Sequence, residues 1–368
     1  MSEEIQFICP AYPVIAGVNR EQKVFFSYPE KIDSNTGMML LISGFDGTPE
    51  ANVYGKMRQL FADQYNLVVV QSTYLGMEFM GDCDQIRLND LQIQKLQKEL
   101  PINIKNQVFL DDGQLNLGPL ITENLPFEMS LQLIADLNET DNNFVEMGPI
   151  QAIDCMRALQ VVYEIIKNNG FQINLDKIIA YGHSHGAYLA HLCNRFFPHV
   201  FSLVLDNSGW ISPVYLKSSR VLTQYINNMI LQKVFTYRIT SQNYDQELYN
   251  LSYLYKEFKN NANIVIYQGV TDNLIDHNVK EAIFGQVEHV AFNMITADKV
   301  DGLAIRSTNH GDADFVELFH KEAREHSSLF ILEKKCNPFN TSETIKTDQA
   351  VYQFHFAGGA PNMIVSRT

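Results

Sequence analysis

The chain is poor in the features that mark specialised classes of protein. Its 368 residues include only 5 cysteines: Cys9, Cys83, Cys155, Cys193 and Cys336. They are odd in number, widely scattered and contain no C-x-x-C pair. That pattern argues against a disulfide framework or a zinc knot and predicts five buried, reduced thiols. Basic residues are the minority, 28 Lys and Arg against 42 Asp and Glu, giving a net charge of -14. Nucleic acids and anionic membranes are held by clustered cations, so this balance argues against both as partners. No apolar run approaches the ~20 residues of a membrane span. The opening MSEEIQFICP lacks the basic region and apolar stretch of a signal peptide, so the cytoplasm is the expected location. Internal repeats and low-complexity linkers are also missing.

What is present is enough apolar text for a large core, 46% hydrophobic and 11% aromatic. EIQFICPA, QKVFFSYP and GMMLLISGF read as strands, followed by the helix GKMRQLFADQY and the strand NLVVVQSTYLG. Residues 82–146 break this rhythm with charged, amide-rich text and read as an insertion. Within it DLQIQKLQKELPINIKNQ suggests a polar helix or hairpin able to meet a partner chain, and ENLPFEMSLQLIADLNE suggests one helix. Regularity returns with the helix GPIQAIDCMRALQVVYEIIKNNG, the strand DKIIAYG, the helix AYLAHLCNRFF and the strand FSLVLDNSG. After an irregular block the strand NIVIYQG, the helix NVKEAIFGQV and the strand GLAIRS follow. Strands alternating with helices predict an α/β fold, a mostly parallel sheet covered on both faces. The expected organisation is a core of residues 1–81, 147–209 and 262–328, with insertions at 82–146 and 210–261 and a C-terminal extension at 329–368.

Between a strand and a helix stands YGHSHGA, in which Gly182, His183, Ser184, His185 and Gly186 spell G-x-S-x-G. Composition alone produces that pattern in roughly one chain in ten of this length. Its strand-turn-helix setting is what makes Ser184 a candidate nucleophile. Such a turn strains the serine backbone, needs glycines where side chains would collide, and presents the hydroxyl at a helix N-terminus that favours negative charge. A serine nucleophile needs a base, and the base an orienting acid. Asp272 follows the strand NIVIYQG, and His310 lies in STNHGDADF beyond GLAIRS. Both loops are at carboxyl ends of strands, where open parallel sheets bind ligands. Asp276 and Asp206 compete with Asp272, which is favoured because it leaves its strand directly after Gly269. His277 and His289 compete with His310 and read as surface or helix residues. Asp312 and Asp314 read as solvated loop charges. His183 and His185 form an H-x-H pair, but no carboxylate lies within the motif and no metal is expected.

The order Ser184, Asp272, His310 resembles that of the α/β-hydrolase superfamily over roughly residues 20 to 328. More narrowly, LLISGFDG and NHGDADF resemble an uncharacterised bacterial family of hydrolase-like proteins, some members of which lie near flagellin-glycosylation genes. The superfamily resemblance implies an oxyanion hole from the backbone amides of Phe45 and His185. The oxyanion loop departs from the usual His-Gly-Gly, reading Ser43-Gly44-Phe45-Asp46-Gly47. The tyrosine- and asparagine-rich segment 210–261 stands where such enzymes insert a cap. Its side chains would suit a sugar or peptide site or simply pack the cap onto the sheet. The expected activity is cofactor-free cleavage of an ester or related acyl bond of a small polar substrate, a glycan or a peptide among the candidates. Acyl transfer to a sugar hydroxyl and a non-catalytic binding role are the alternatives. Oligomeric state is not written in the sequence.

Overall fold

The uninterrupted apolar runs become strands buried on both faces. The computed structural model describes residues 2–367 apart from Asp84, 111–115, Asn124, Pro126, Lys335 and Cys336, so the expectation for Cys336 lies outside the described residues. In chain order the first elements are β1 (Glu3–Pro10), β2 (Glu21–Tyr28), β3 (Gly37–Ile42), α1 (Asn52–Tyr65) and β4 (Leu67–Ser72). Then come β5 (Ile86–Arg87), α2 (Asp90–Glu99), α3 (Ile102–Val108), α4 (Gly118–Thr122) and β6 (Met129–Ala135). The central part holds α5 (Pro149–Asn168), β7 (Ile178–His183), α6 (His185–Phe196), β8 (Leu203–Asn207), β9 (Arg220–Ile226) and β10 (Met229–Phe235). The last part holds α7 (Leu251–Leu254), β11 (Asn263–Gly269), α8 (His277–Phe284), β12 (Val290–Ile295) and α9 (Phe315–Glu325). It closes with β13 (Ser342–Lys346), β14 (Ala350–Ala357) and β15 (Ala360–Arg367).

Eight strands form the main sheet in the order β1-β2-β4-β3-β7-β8-β11-β12. Only β2 runs against its neighbours, pairing antiparallel with β1 and β4. The pairs from β4 through β12 are all parallel. Ranked within the sheet, the order is 1-2-4-3-5-6-7-8 with the second strand reversed, the arrangement of the α/β-hydrolase fold. On one face Phe61 and Ala62 of α1 and Leu318 and Phe319 of α9 pack on Met39, Leu41, Val69, Tyr181, Leu205 and Tyr267. Helices α5 and α6 pack against β4, β7 and β8. Burial on both faces explains why β3, β4, β7 and β8 carry no polar alternation.

Contacts divide the chain into two units, 1–81 with 145–214 and 244–368, and 82–144 with 215–243. The second unit has its own sheet, β5-β6-β10-β9, and its own core, including Leu96, Ile104, Val108, Leu120, Leu131 and Leu231. In the first unit the tail forms an antiparallel sheet, β13-β14-β15, whose Phe354 stacks on Phe196 at 4.1 Å.

Several sequence expectations need correction. The helix expected in ENLPFEMSLQLIADLNE is instead the strand β6, whose residues alternate between buried and open and pair in parallel with β10. GLAIRS is not a strand. Asp301 accepts hydrogen bonds from the amides of Leu303 and Ile305, each at 2.8 Å, and Gly302 has φ +72°, which folds the segment into a turn. The last strand of the main sheet is β12, which the apolar pattern did not single out. Asp314 is no loop charge, since it caps α9 by accepting from the amides of Val316 and Glu317. Cys9, Cys155 and Cys193 are buried free thiols, but Cys83 is only half-buried, with Sγ 3.2 Å from the carbonyl of Gln85. Among the described residues no helix is long and apolar enough to cross a membrane.

Candidate active site

The turn between β7 and α6 is built as its glycines require. Ser184 has φ 52° and ψ -119°, and its amide donates to the carbonyl of Asn207 on β8 at 2.8 Å. A Cβ on Gly182 would lie 2.3 Å from the carbonyl carbon and oxygen of Gly186. One on Gly186 would lie 2.3 Å from the carbonyl oxygen of Ile42 on β3. Backbone cannot yield as a side-chain tip can, so Gly186→Ala is expected to destabilise the fold by about 3 kcal/mol. Denaturant unfolding that gives a wild-type midpoint for this variant would contradict the packing described.

Three loops at the carboxyl ends of the parallel strands converge on the serine. Ser184 Oγ is 2.8 Å from His310 Nε2, and His310 Nδ1 is 2.7 Å from Asp272 Oδ2. Ser184 is 6% exposed, while the Asp272 carboxyl is buried. A carboxylate only accepts, so Nδ1 of His310 carries the hydrogen and Nε2 is left to accept from the serine hydroxyl. Burial pushes the Asp272 carboxyl up. The hydrogen bond and charge of His310, with the Leu274 amide and Gln268, outweigh burial and hold it below its ordinary value. At neutral pH Asp272 is therefore ionised.

The competitors lie elsewhere. Asp206 is fully buried, its Oδ2 2.8 Å from both His191 Nε2 and Lys280 Nζ and its Oδ1 2.5 Å from the Gly209 amide. Asp276 caps α8 by accepting from the amides of Asn278 and Val279. His277 opens α8, and His289 is exposed in the turn before β12. Asp312 hydrogen-bonds Ser307 and Asn309.

The two histidines beside the serine meet different surroundings. The His183 ring packs 6.3 Å from that of His310, and burial first, then the neighbouring imidazole, lowers its pKa to about 4. His185 turns to Gln151, whose Oε1 lies 2.8 Å from Nε2. Burial lowers its pKa to about 3. Both rings are neutral at physiological pH and bring no positive charge to His310. Among the described residues no group of three or more His, Cys, Asp or Glu is placed to hold a metal ion.

His185 is the first residue of α6, so its backbone amide is one of those a helix start leaves without an intrahelical partner. Phe45 sits in a tight turn after β3, where the Gly47 amide donates to the Gly44 carbonyl at 3.0 Å and Ser43 Oγ donates to the Gly47 carbonyl at 3.1 Å. The Phe45 ring lies 5.7 Å from the rings of both His185 and Trp210, which fixes the loop against the helix. Sequence reasoning did not single out Trp210, Gln151, Gln268 or Lys280. Their signal was weak, because amides and a lysine inside apolar helices and strands read as surface residues until the packing is known.

The chain matches the model of a family described as "Protein of unknown function (DUF2920)" over residues 9–363. No curated protein matches it. Among solved structures it is similar to an esterase from the fungus Rhizomucor miehei, at 12% identity and TM-score 0.47, over 89% of this chain and 83% of that one. It is also similar to the peroxisomal α/β-hydrolase Lpx1 of Saccharomyces cerevisiae, at 11% identity and TM-score 0.47, over 91% of each chain. Acetyl xylan esterase 1 from a Thermoanaerobacterium species aligns at 11% identity and TM-score 0.42, over 84% of this chain and 79% of that one. Likenesses this distant leave the fold assignment resting on the strand order. The match over nearly the whole length settles the family: the chain belongs to the DUF2920 proteins.

Proposed function

We propose that the protein is a serine hydrolase that cleaves an ester or related acyl bond of a small polar substrate, with Ser184 as nucleophile, His310 as general base and acid, and Asp272 as the orienting carboxylate. The observation that carries this reading is the continuous hydrogen-bonded line from Ser184 Oγ through His310 to Asp272, at 2.8 and 2.7 Å. In the first half-reaction Ser184 Oγ bonds to the substrate carbonyl carbon as its proton passes to His310 Nε2. The carbonyl oxygen becomes an oxyanion, for which the amides of Phe45 and His185 are the proposed donors. As the oxyanion collapses, the bond to the leaving alkoxide breaks and His310 returns the proton to it. In the second half-reaction His310 takes a proton from water, the hydroxide adds to the acyl carbon, and the acid departs with Ser184 reprotonated. Each histidine charge is met by the Asp272 carboxylate.

Mixing the protein with an activated aryl ester of a short acid, whose good leaving group makes deacylation the slower step, is expected to release a rapid burst of phenol stoichiometric with enzyme, and intact mass spectrometry of the quenched mixture to find the acyl group on the protein. Steady phenol release with no burst and no acylated protein from such an activated ester would contradict the two-step reading. Adding a sugar acceptor tells hydrolysis from transfer, since hydrolysis yields free acid and transfer yields an acylated sugar.

A further inference from the structure

Behind Asp272 lies a buried line of polar side chains that touches no reacting atom. Lys280 of α8 is fully buried, and its ammonium donates to Asp206 Oδ2 at 2.8 Å, to the Gly209 carbonyl at 2.7 Å and to Gln268 Oε1 at 3.1 Å. An ammonium has three hydrogens, and all three find acceptors. Gln268 of β11, also fully buried, donates from Nε2 to Asp272 Oδ2 at 2.7 Å, the same oxygen that receives His310 Nδ1. The other oxygen of Asp272 accepts from the amides of Leu274 and Ile275 at 2.8 and 3.0 Å.

We propose that Lys280 and Gln268 are positioning residues for this proposed triad, the ammonium fixing the Gln268 amide so that its nitrogen holds Asp272 on His310. The inference rests on the hydrolase reading above. Its logic is that an ammonium only donates, so the amide atom facing it must be the oxygen and the atom facing Asp272 must be the nitrogen. A flipped amide would set NH2 against ammonium and oxygen against carboxylate, unfavourable at both ends. With Lys280 in place the amide has one orientation, and Asp272 is held at four points. Asp206 then has a distinct task. It neutralises the buried ammonium, so charge alternates along Asp206, Lys280 and Asp272.

The titratable groups around this line are Asp272 on the loop after β11, His310 on the loop before α9, His183 at the end of β7, Asp206 on β8, His191 on α6 and Lys280 on α8. Of these, His183 and His191 are kept uncharged by burial. A carboxyl in place of the Gln268 amide would face the Asp272 carboxyl, and two carboxyls so close share one proton.

Three variants test the proposal. Gln268→Leu is expected to slow acylation by a fluorophosphonate about 10- to 100-fold at saturating probe, with little change in the half-saturating concentration, and to lower the melting temperature because Lys280 loses one acceptor, so rates are measured on the folded protein. Lys280→Met, where it folds, is expected to slow it as much. Gln268→Glu keeps the shape but makes Asp272 share a proton with a second carboxyl, so the NMR resonance of the His310 Nδ1 hydrogen is expected to move upfield as its bond to Asp272 weakens. Acylation of Gln268→Leu at the wild-type rate, or an unmoved His310 Nδ1 hydrogen resonance in Gln268→Glu, would overturn the assignment and leave the line a packing feature. The resonance does not depend on turnover. A wild-type protein that takes no probe, in which Gln268→Glu still moves the His310 resonance, would refute the hydrolase reading while supporting the positioning geometry.

Discussion

Replacing Ser184 by alanine is expected to lower turnover of a short acyl ester by about four to six orders of magnitude, with the fold intact. The size follows from the way a triad works as one unit, in which loss of the nucleophile costs about as much as loss of every member. Stability should hardly change. Ser184 is 6% exposed, and the turn is held by the backbone bond from its amide to Asn207, which alanine retains. Alanine does inherit the φ of 52°, which costs about 1 kcal/mol in a residue without local polar compensation, but serine already bears that strain. A variant that folds and turns over the ester within tenfold of wild type would place the reaction on another residue.

The second large effect separates Asp272, favoured from the sequence, from its competitor Asp206. Asp272→Asn is expected to reduce kcat about 10⁴-fold while leaving the unfolding midpoint near wild type. An asparagine that offers its NH2 to His310 favours the wrong tautomer, so Nε2 no longer accepts from Ser184. Asp206→Asn is expected to do the opposite. It leaves the Lys280 ammonium buried without its counter-charge, and breaking a buried pair costs about 3 to 5 kcal/mol. Its activity should fall far less than that of Asp272→Asn once measured on the folded fraction. Equal kinetic losses in the two variants, or an Asp206→Asn protein as stable as wild type, would contradict the roles assigned to them.

The fold was legible where burial is complete. β3, β4, β7 and β8 are covered on both faces, so each opens on an unbroken apolar run, and polar residues enter only at the carboxyl ends of β4, β7 and β8. The turn between β7 and α6 was legible for a steric reason, because no Cβ fits at Gly182 or Gly186 and the chain must write glycine there. Asp272 and His310 stood out by following apolar runs, although the run before His310 is a turn and the true last strand, β12, lies further upstream. β12 is faint in the sequence because most of its residues are only partly buried, which dilutes the apolar signal. β6 is hard to see because Leu, Met and Glu around it are good helix formers, and their local preference competes with its two-residue alternation. Lys280 was illegible for a subtler reason. In NVKEAIF it shares a helix face with Ile283 and Phe284, a position that normally excludes charge, and only the tertiary arrangement supplies Asp206 to receive it.

The most direct test of the central claim is covalent. The protein would be incubated with a fluorophosphonate probe and the adduct mapped by mass spectrometry, with Ser184→Ala and His310→Ala as controls. An adduct on Ser184 in wild type, absent from both variants, is the predicted result, because the probe needs a serine whose proton His310 can take. A folded wild-type protein that stays unlabelled, or one labelled at another residue, would contradict the assignment of Ser184 as an activated nucleophile.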